Sequence, residues 1–292
     1  MAFLTYINEF NEEEIMSANA LKIGIPGAAG RMGTTLINEV TSSDGVKLVS
    51  ATEVAGHQDI GKDAGNIAGI EPVDVVLQTD PDAMFSASDA VLDFTLPEAT
   101  PKHLELAVKY KKVLIIGTTG FDNSLEELLT GASRQVPIVR APNMSLCVNL
   151  LFKLTEQVSS YLDEDYDIEI FEMHHRHKID SPSGTALGLG QAAAKGRNIS
   201  LKDKMVSGRD GITGAREQGS IGFSSLRGGD IIGDHTVIFS ADGERLELSH
   251  KSSSRKSYAR GAVKAAIWAK DQPPGLYSMQ DVINSMDKNK GI

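Results

Sequence analysis

A chain of 292 residues, 41% hydrophobic and 23% charged, is longer than one small core usually holds, and two domains are expected. The formal net charge of −10 argues against a generic nucleic-acid or anionic-membrane binder, so an anionic ligand must be drawn by a local cluster of basic residues. A single cysteine, Cys147, excludes an intramolecular disulfide and fits a reducing compartment.

The first residues are acidic (Glu9, Glu12, Glu13, Glu14) and lack the basic and long apolar regions of a signal peptide. No apolar run is long enough to span a bilayer. A soluble cytoplasmic protein is expected, with residues 1–19 a flexible leader and Met16 a candidate start.

Residues 21–25 read as a buried strand, followed by Gly27-Ala28-Ala29-Gly30-Arg31-Met32-Gly33 and then Leu36, Ile37 and Val40 at helical spacing. Strand, glycine turn and helix form the context of a dinucleotide fingerprint: the glycines allow a tight turn and close approach of a pyrophosphate, and the helix start supplies N–H groups. The spacing, G-x-x-G-x-x-G, is a variant of the usual pattern. Glu53 ends the next strand at the distance expected of a carboxylate on the adenosine ribose. Val54 follows it where an Arg would pair with a 2′-phosphate, which tilts the reading towards NADH, although Arg31 could still reach such a phosphate.

Residues 56–69 read as a glycine-rich loop. Further strands are expected at 90–95, 113–116 and 137–143, with a helix from Pro97 to Tyr110 carrying His103 on its surface. Alternating strands and helices predict a parallel, doubly wound sheet. Its ligands would bind at the strand C-terminal ends, where Thr95, Gly117, Thr118, Thr119, Ala141, Pro142, Asn143 and Met144 fall. Cys147, at the start of an apolar-periodic helix, reads as a small buried residue, since no His follows nearby to activate it.

The segment from Glu169 to Ala186 concentrates the chemistry. A strand leads into His174, His175, Arg176, His177 and Lys178, and Ser183-Gly184-Thr185 opens an Ala-rich helix. Clustered positive groups repel, which should bring their pKa values towards neutrality and suit proton donation near pH 7. The helix start can hold a carboxylate, with Ser183 as its cap. Arg176 and Lys178 would repel a cation, so no metal is expected. Beyond Gly219, strands near 220–226, 231–240 and 245–250, with turns at 227–230 and 241–244, predict a second α+β domain with a mixed, largely antiparallel sheet. His235 and His250 read as strand-surface residues, and helices near 258–270 and 279–286 close the chain.

The stretch from Glu169 to Ala186 resembles the signature of the 4-hydroxy-tetrahydrodipicolinate reductase (dihydrodipicolinate reductase) family, fitting E-[IV]-x-E-x-H-x-x-x-K-x-D-x-P-S-G-T-A at every fixed position. The likeness continues in residues 27–33, Asp93-Phe94-Thr95, residues 117–121, 141–143 and 229–231, and in His250-Lys251 to Arg255. It implies an NADPH- or NADH-dependent reductase of diaminopimelate and lysine biosynthesis, acting on a cyclic dicarboxylate. It also implies a Rossmann-like cofactor domain (20–144, completed by 256–292), a substrate-binding and oligomerisation domain (145–255), and a homotetramer. Carried over by position, His174 looks like the proton donor and Lys178 a second one, with His175, Gly184 and Thr185 on the substrate. Gly27, Ala28, Ala29, Gly30, Arg31, Met32, Glu53, Gly117, Thr118, Thr119, Ala141, Pro142, Asn143, Met144 and Arg255 match cofactor positions. Val54 and Leu96 depart from members that carry Arg there, which weakens strict NADPH preference. The alternatives are another nicotinamide-dependent reductase, acting on an aspartate-derived aldehyde, and a non-catalytic dinucleotide sensor.

Overall fold

The computed structural model describes residues 19–288, so the expected leader lies outside the described residues except for residue 19. The chain forms two compact units, residues 19–144 with 258–288 and Ser145–Ser257.

The first unit opens with β1 (Leu21–Pro26), α1 (Arg31–Thr41), β2 (Val46–Thr52), α2 (Ala64–Ala68), β3 (Leu77–Gln78) and α3 (Pro81–Ala87). It continues with β4 (Ala90–Asp93), α4 (Thr100–Tyr110), β5 (Val113–Ile116), α5 (Asn123–Ser133) and β6 (Pro137–Arg140). β4 and β5 are buried along their whole length, which is why they read as apolar runs and not as an alternation. The stretch expected to be a loop contains α2, because the Asp63 carboxylate accepts the N–H groups of Gly65, Asn66, Val73 and Val75 and so caps a helical turn. The helix expected from Pro97 begins instead at Thr100.

The second unit contains α6 (Leu146–Tyr161), β7 (Asp167–His174), α7 (Gly184–Gly196), α8 (Leu201–Lys204), β8 (Met205–Ser207), β9 (Ile221–Arg227), β10 (Gly233–Ala241) and β11 (Glu244–Ser252). Its five strands run β11-β10-β7-β9-β8. β10 is antiparallel to both its neighbours, whereas β9 is parallel to both of its own. Residues 241–244 do form a hairpin turn between β10 and β11. Residues 227–230 do not, because β7 lies between β9 and β10, and this segment crosses over the end of β7. Ile168, Ile170, Phe223, Val237 and Phe239 from the sheet pack with Leu151, Leu189 and Ala193 of the helices in one core. Cys147 is exposed, not buried as expected, because the buried stripe of α6 runs through Val148, Asn149, Leu151, Thr155 and Ser159 and misses it.

The chain then returns through α9 (Lys256–Ala269), β12 (Gly275–Tyr277) and α10 (Met279–Lys288). β12 pairs with β6, completing a parallel seven-stranded sheet of order β12-β6-β5-β4-β1-β2-β3. The order reverses between β1 and β4, and the crevice beyond their C-terminal ends is the place where such sheets bind ligands.

Candidate active site

In the first unit the candidates collect at the C-terminal ends of the strands. Gly27, the residue after β1, has φ +63°, a left-handed conformation that a side chain disfavours. Gly33 admits no side chain, since a Cβ there would sit 2.2 Å from the Gly27 carbonyl oxygen. α1 thus starts flush against the turn, and no side chain caps it at Gly30. Its first N–H groups and its positive dipole end remain for an anion. Ala28 is buried and Ala29 partly so, while Arg31 is exposed and Met32 half-buried. Glu53, one residue past β2, accepts from the N–H groups of Ala29 at 3.3 Å and Val54 at 3.0 Å, fixing its carboxylate beside the glycine turn.

Gly117 donates its N–H to the Asp93 carbonyl, Thr118 is buried, and Thr119 is exposed. Ala141 and Met144 are buried, Asn143 is half-buried and Pro142 exposed. Arg255 lies in the second unit, on the turn before α9.

His103 is buried, not on the helix surface as expected. Its Nδ1 donates to Asp93 Oδ2 at 2.8 Å, and a carboxylate held inside the fold draws the imidazole in with it.

In the second unit the alternation of β7 places Glu172 and His174 on one face, the face that bears the core. Glu172 is fully buried. The Arg227 guanidinium grips it with two bonds, Nη1 to Oε2 at 2.8 Å and Nη2 to Oε1 at 2.9 Å. His174 Nδ1 lies 2.5 Å from Oε2, and the Ser183 N–H donates to Oε1 at 3.2 Å. Burial alone would raise the Glu172 pKa; the bonds from Arg227 and His174 outweigh it and hold the carboxyl below its usual range. An ionised carboxylate only accepts, so His174 carries a proton on Nδ1 and turns Nε2 to its remaining surroundings.

The His174 pKa is lowered. Burial is the first cause and the charges of Lys178 and Arg227 add to it, against the opposing pull of Glu172. Desolvation, not the charge repulsion expected from the sequence, dominates because the ring is drawn into the fold towards Glu172.

After His174 the chain turns back on itself, with Lys178 N–H bonded to the His175 carbonyl. The 228–231 crossover fastens this turn: His175 N–H donates to the Ile231 carbonyl, Arg176 N–H to Gly229 and Gly228 N–H to the His174 carbonyl. His175 is half-buried and His177 exposed, and Lys178 Nζ is held 2.8 Å from Asp180 Oδ1. Ser183 caps α7 through Oγ, which accepts from the Ala186 N–H at 3.1 Å. A Cβ built on Gly184 would meet nothing within 4 Å, so this helix start opens on free space, with Thr185 half-buried beside it.

His235 is buried, contrary to the surface position expected of it, and shares a 3.0 Å hydrogen bond from Nε2 to Ser183 Oγ. Its ring stands edge-on to His174, with centroids 5.0 Å apart. Burial, aided by the charge of His174, pushes its pKa down to about 3, so it is neutral. The sheet register sets His250 opposite His235, and His250 is half-buried with an enclosed Nδ1.

The structure therefore brings His174, Lys178, His175, Gly184 and Thr185 onto one continuous segment around the β7–α7 connection. Glu172, Arg227 and His235 are the functional candidates that the sequence reading missed. The i, i+2 spacing of Glu172 and His174 was a readable signal; the partnership of Arg227 and His235 depends on strand pairing.

A parallel sheet with a glycine turn at its switch point, linked to a unit that holds a buried proton-donor cluster, defines a dinucleotide-dependent oxidoreductase. Comparison with known proteins narrows this class. The family profile "Dihydrodipicolinate reductase, N-terminus" matches residues 21–144, and "Dihydrodipicolinate reductase, C-terminus" matches residues 147–283. The 4-hydroxy-tetrahydrodipicolinate reductase of Dinoroseobacter shibae is 53% identical over 261 residues, 89% of this chain and 97% of its own. That of Magnetococcus marinus is 48% identical over 263 residues, 90% of this chain and 98% of its own. The dipicolinate-bound dihydrodipicolinate reductase from Paenisporosarcina sp. TG-14 shares the fold with a TM-score of 0.70 at 24% identity, covering 89% of this chain and 97% of its own. This chain belongs to the dihydrodipicolinate reductase family. Among the described residues no helix is long and apolar enough to cross a membrane.

Proposed function

We propose that the protein reduces 4-hydroxy-tetrahydrodipicolinate to tetrahydrodipicolinate in diaminopimelate and lysine biosynthesis. The overall change takes up one hydride and one proton and releases water. The observation that carries this reading is the buried Glu172, gripped by the half-buried Arg227, holding His174 by Nδ1 beside the open start of α7. A ring fixed in this way delivers its proton from one atom, Nε2. Lys178, oriented by Asp180, is the second donor.

The α7 start, through Gly184 and Thr185, and His175 bind the substrate carboxylates. Burial lowers the His174 pKa in the free protein. A bound dicarboxylate favours its imidazolium, so the acid is charged when substrate arrives. The same positive groups stabilise negative charge that develops on the ring being reduced.

A bound nicotinamide dinucleotide supplies the hydride. The turn from Gly27 to Met32 and the uncapped α1 start receive its pyrophosphate, and Glu53 binds the adenosine ribose. Gly117 to Thr119, Ala141 to Met144 and Arg255 complete the contacts. The exposed Val54 beside Glu53 supplies no cation to a 2′-phosphate, which tilts cofactor choice towards NADH, with the exposed Arg31 as the alternative cation.

The sheet face of the second unit turned away from its core carries Phe171, Met173, Ile238 and the exposed Leu226, an apolar patch suited to assembly as a homotetramer. The enzyme works in the cytoplasm. Incubation with NADH carrying deuterium at both C4 positions tests the reaction: deuterium should appear on carbon in tetrahydrodipicolinate, and its absence from product would overturn direct hydride transfer.

A further inference from the structure

The strongest chemistry outside the proton-donor cluster is buried beneath the glycine turn. Asp93, at the end of β4, is completely enclosed, yet it is a carboxylate. Its Oδ2 accepts from His103 Nδ1 at 2.8 Å, and its Oδ1 accepts from the Thr95 N–H at 3.0 Å and the Thr95 hydroxyl at 2.6 Å. The Thr118 hydroxyl lies 3.4 Å from the same oxygen and 3.3 Å from the Thr95 carbonyl. The Thr95 methyl borders the turn itself: a Cβ on Gly27 would lie 3.1 Å from it.

One carboxylate thus ties together the loops after β4 and β5 and abuts the loop after β1. These three loops rim the switch point of the sheet. Packing alone would be served by apolar residues, since burying an unpaired charge is expensive and even a paired one gains little stability over a hydrophobic substitute. What the carboxylate provides is directional: it fixes the Thr95 and Thr118 side chains and the backbone between them. Burial by itself would raise the Asp93 pKa, but the bond and charge of His103 and the Thr95 bonds outweigh it and keep the carboxyl low, so it stays an acceptor.

We propose that Asp93 and His103 are positioning residues for the dinucleotide, acting through Thr95 and Thr118 to set the rim that the cofactor meets. The inference rests on the reading that the first unit binds the cofactor. His103 holds the far oxygen of Asp93, so the near oxygen is presented to the threonines in one orientation.

The test is equilibrium binding of NADH to the full chain, with steady-state kinetics, for wild type and for His103→Leu, His103→Asn and Thr95→Val. Asn places a donor nitrogen where His Nδ1 stood. His103→Leu and Thr95→Val should weaken NADH about five- to tenfold and raise its KM by the same factor, with kcat at saturating NADH and the dissociation constant of dipicolinate unchanged. His103→Asn should restore most of the affinity. Unchanged NADH affinity in Thr95→Val and in folded His103→Leu, with only a lower melting temperature, would overturn the proposal in favour of a purely structural pair. Should wild type itself fail to bind either dinucleotide, the cofactor reading beneath it falls first, a result distinct from loss in the variants alone.

Discussion

His174 Nδ1 stands 2.5 Å from Glu172 Oε2, two residues back on the same strand, and Arg227 grips both oxygens of that carboxylate. The strand period alone puts acid and base on one face. The proton donor is therefore aimed by its own strand neighbour. His174→Gln should lower kcat about 10²- to 10⁴-fold with the NADH dissociation constant unchanged. Glu172→Gln should lower kcat by a smaller factor, and it should cost roughly 1–3 kcal/mol of stability because the Arg227 bonds lose their charged, buried partner. Stopped-flow turnover and urea denaturation of the two variants measure these effects separately.

Stability should begin to fall on the acid side as pH drops below 6.5. The pKa of His235 is lowered from 6.5 to about 3 in the fold. Between those values the unfolded chain binds a proton that the folded chain refuses, so unfolding becomes easier as pH drops. The contribution is complete above 6.5 and is lost as pH falls towards 3, at up to about 1.4 kcal/mol per pH unit for this group. His174, whose pKa is also lowered, adds in the same direction. Urea midpoints of wild type and His235→Phe between pH 5 and 7 should show a shallower slope in the variant; parallel slopes would contradict the assignment.

Gly233 lies against the reactive face of His174. A Cβ built there would be 3.0 Å from His174 Nε2 and 3.3 Å from Cδ2. Gly233→Ala should displace the ring or block its approach to substrate, reducing kcat about tenfold or more while NADH affinity stays constant. Its measurement is a kcat and Kd pair on the same preparation.

Cofactor choice should reside at one exposed position. Val54 follows Glu53, whose carboxylate is bonded to the N–H groups of Ala29 and Val54. Val54→Arg should improve the NADPH-to-NADH ratio of kcat/KM about three- to tenfold at low salt, and less at high salt, because the added cation is screened at the surface.

Much of this was legible in the sequence because it is local. The glycine turn, the apolar strands at 90–93 and 113–116 and the β7-to-α7 segment are contiguous, and period and spacing declare them. His103, His235 and Arg227 were not legible in their roles, because each acquires its partner through tertiary pairing. His103 reads as a surface residue from its helix alone, but Asp93 accepts its hydrogen bond inside the fold, and His235 reads likewise from its strand but is bonded to Ser183 on another element. The turn at 227–230 was misread for the same reason: turn chemistry identifies a reversal but not the strand that lies between its arms. Cys147 was placed inside by residue type, whereas the helix stripe decides burial.

The measurement that bears most directly on the central claim generates the substrate in the cuvette, by enzymatic condensation of pyruvate with aspartate semialdehyde, and follows NADH and NADPH loss in parallel. The account predicts oxidation that depends on the condensation, with NADH used at least as well as NADPH, and that collapses in His174→Gln. Folded protein that binds dinucleotide yet oxidises neither cofactor would contradict it.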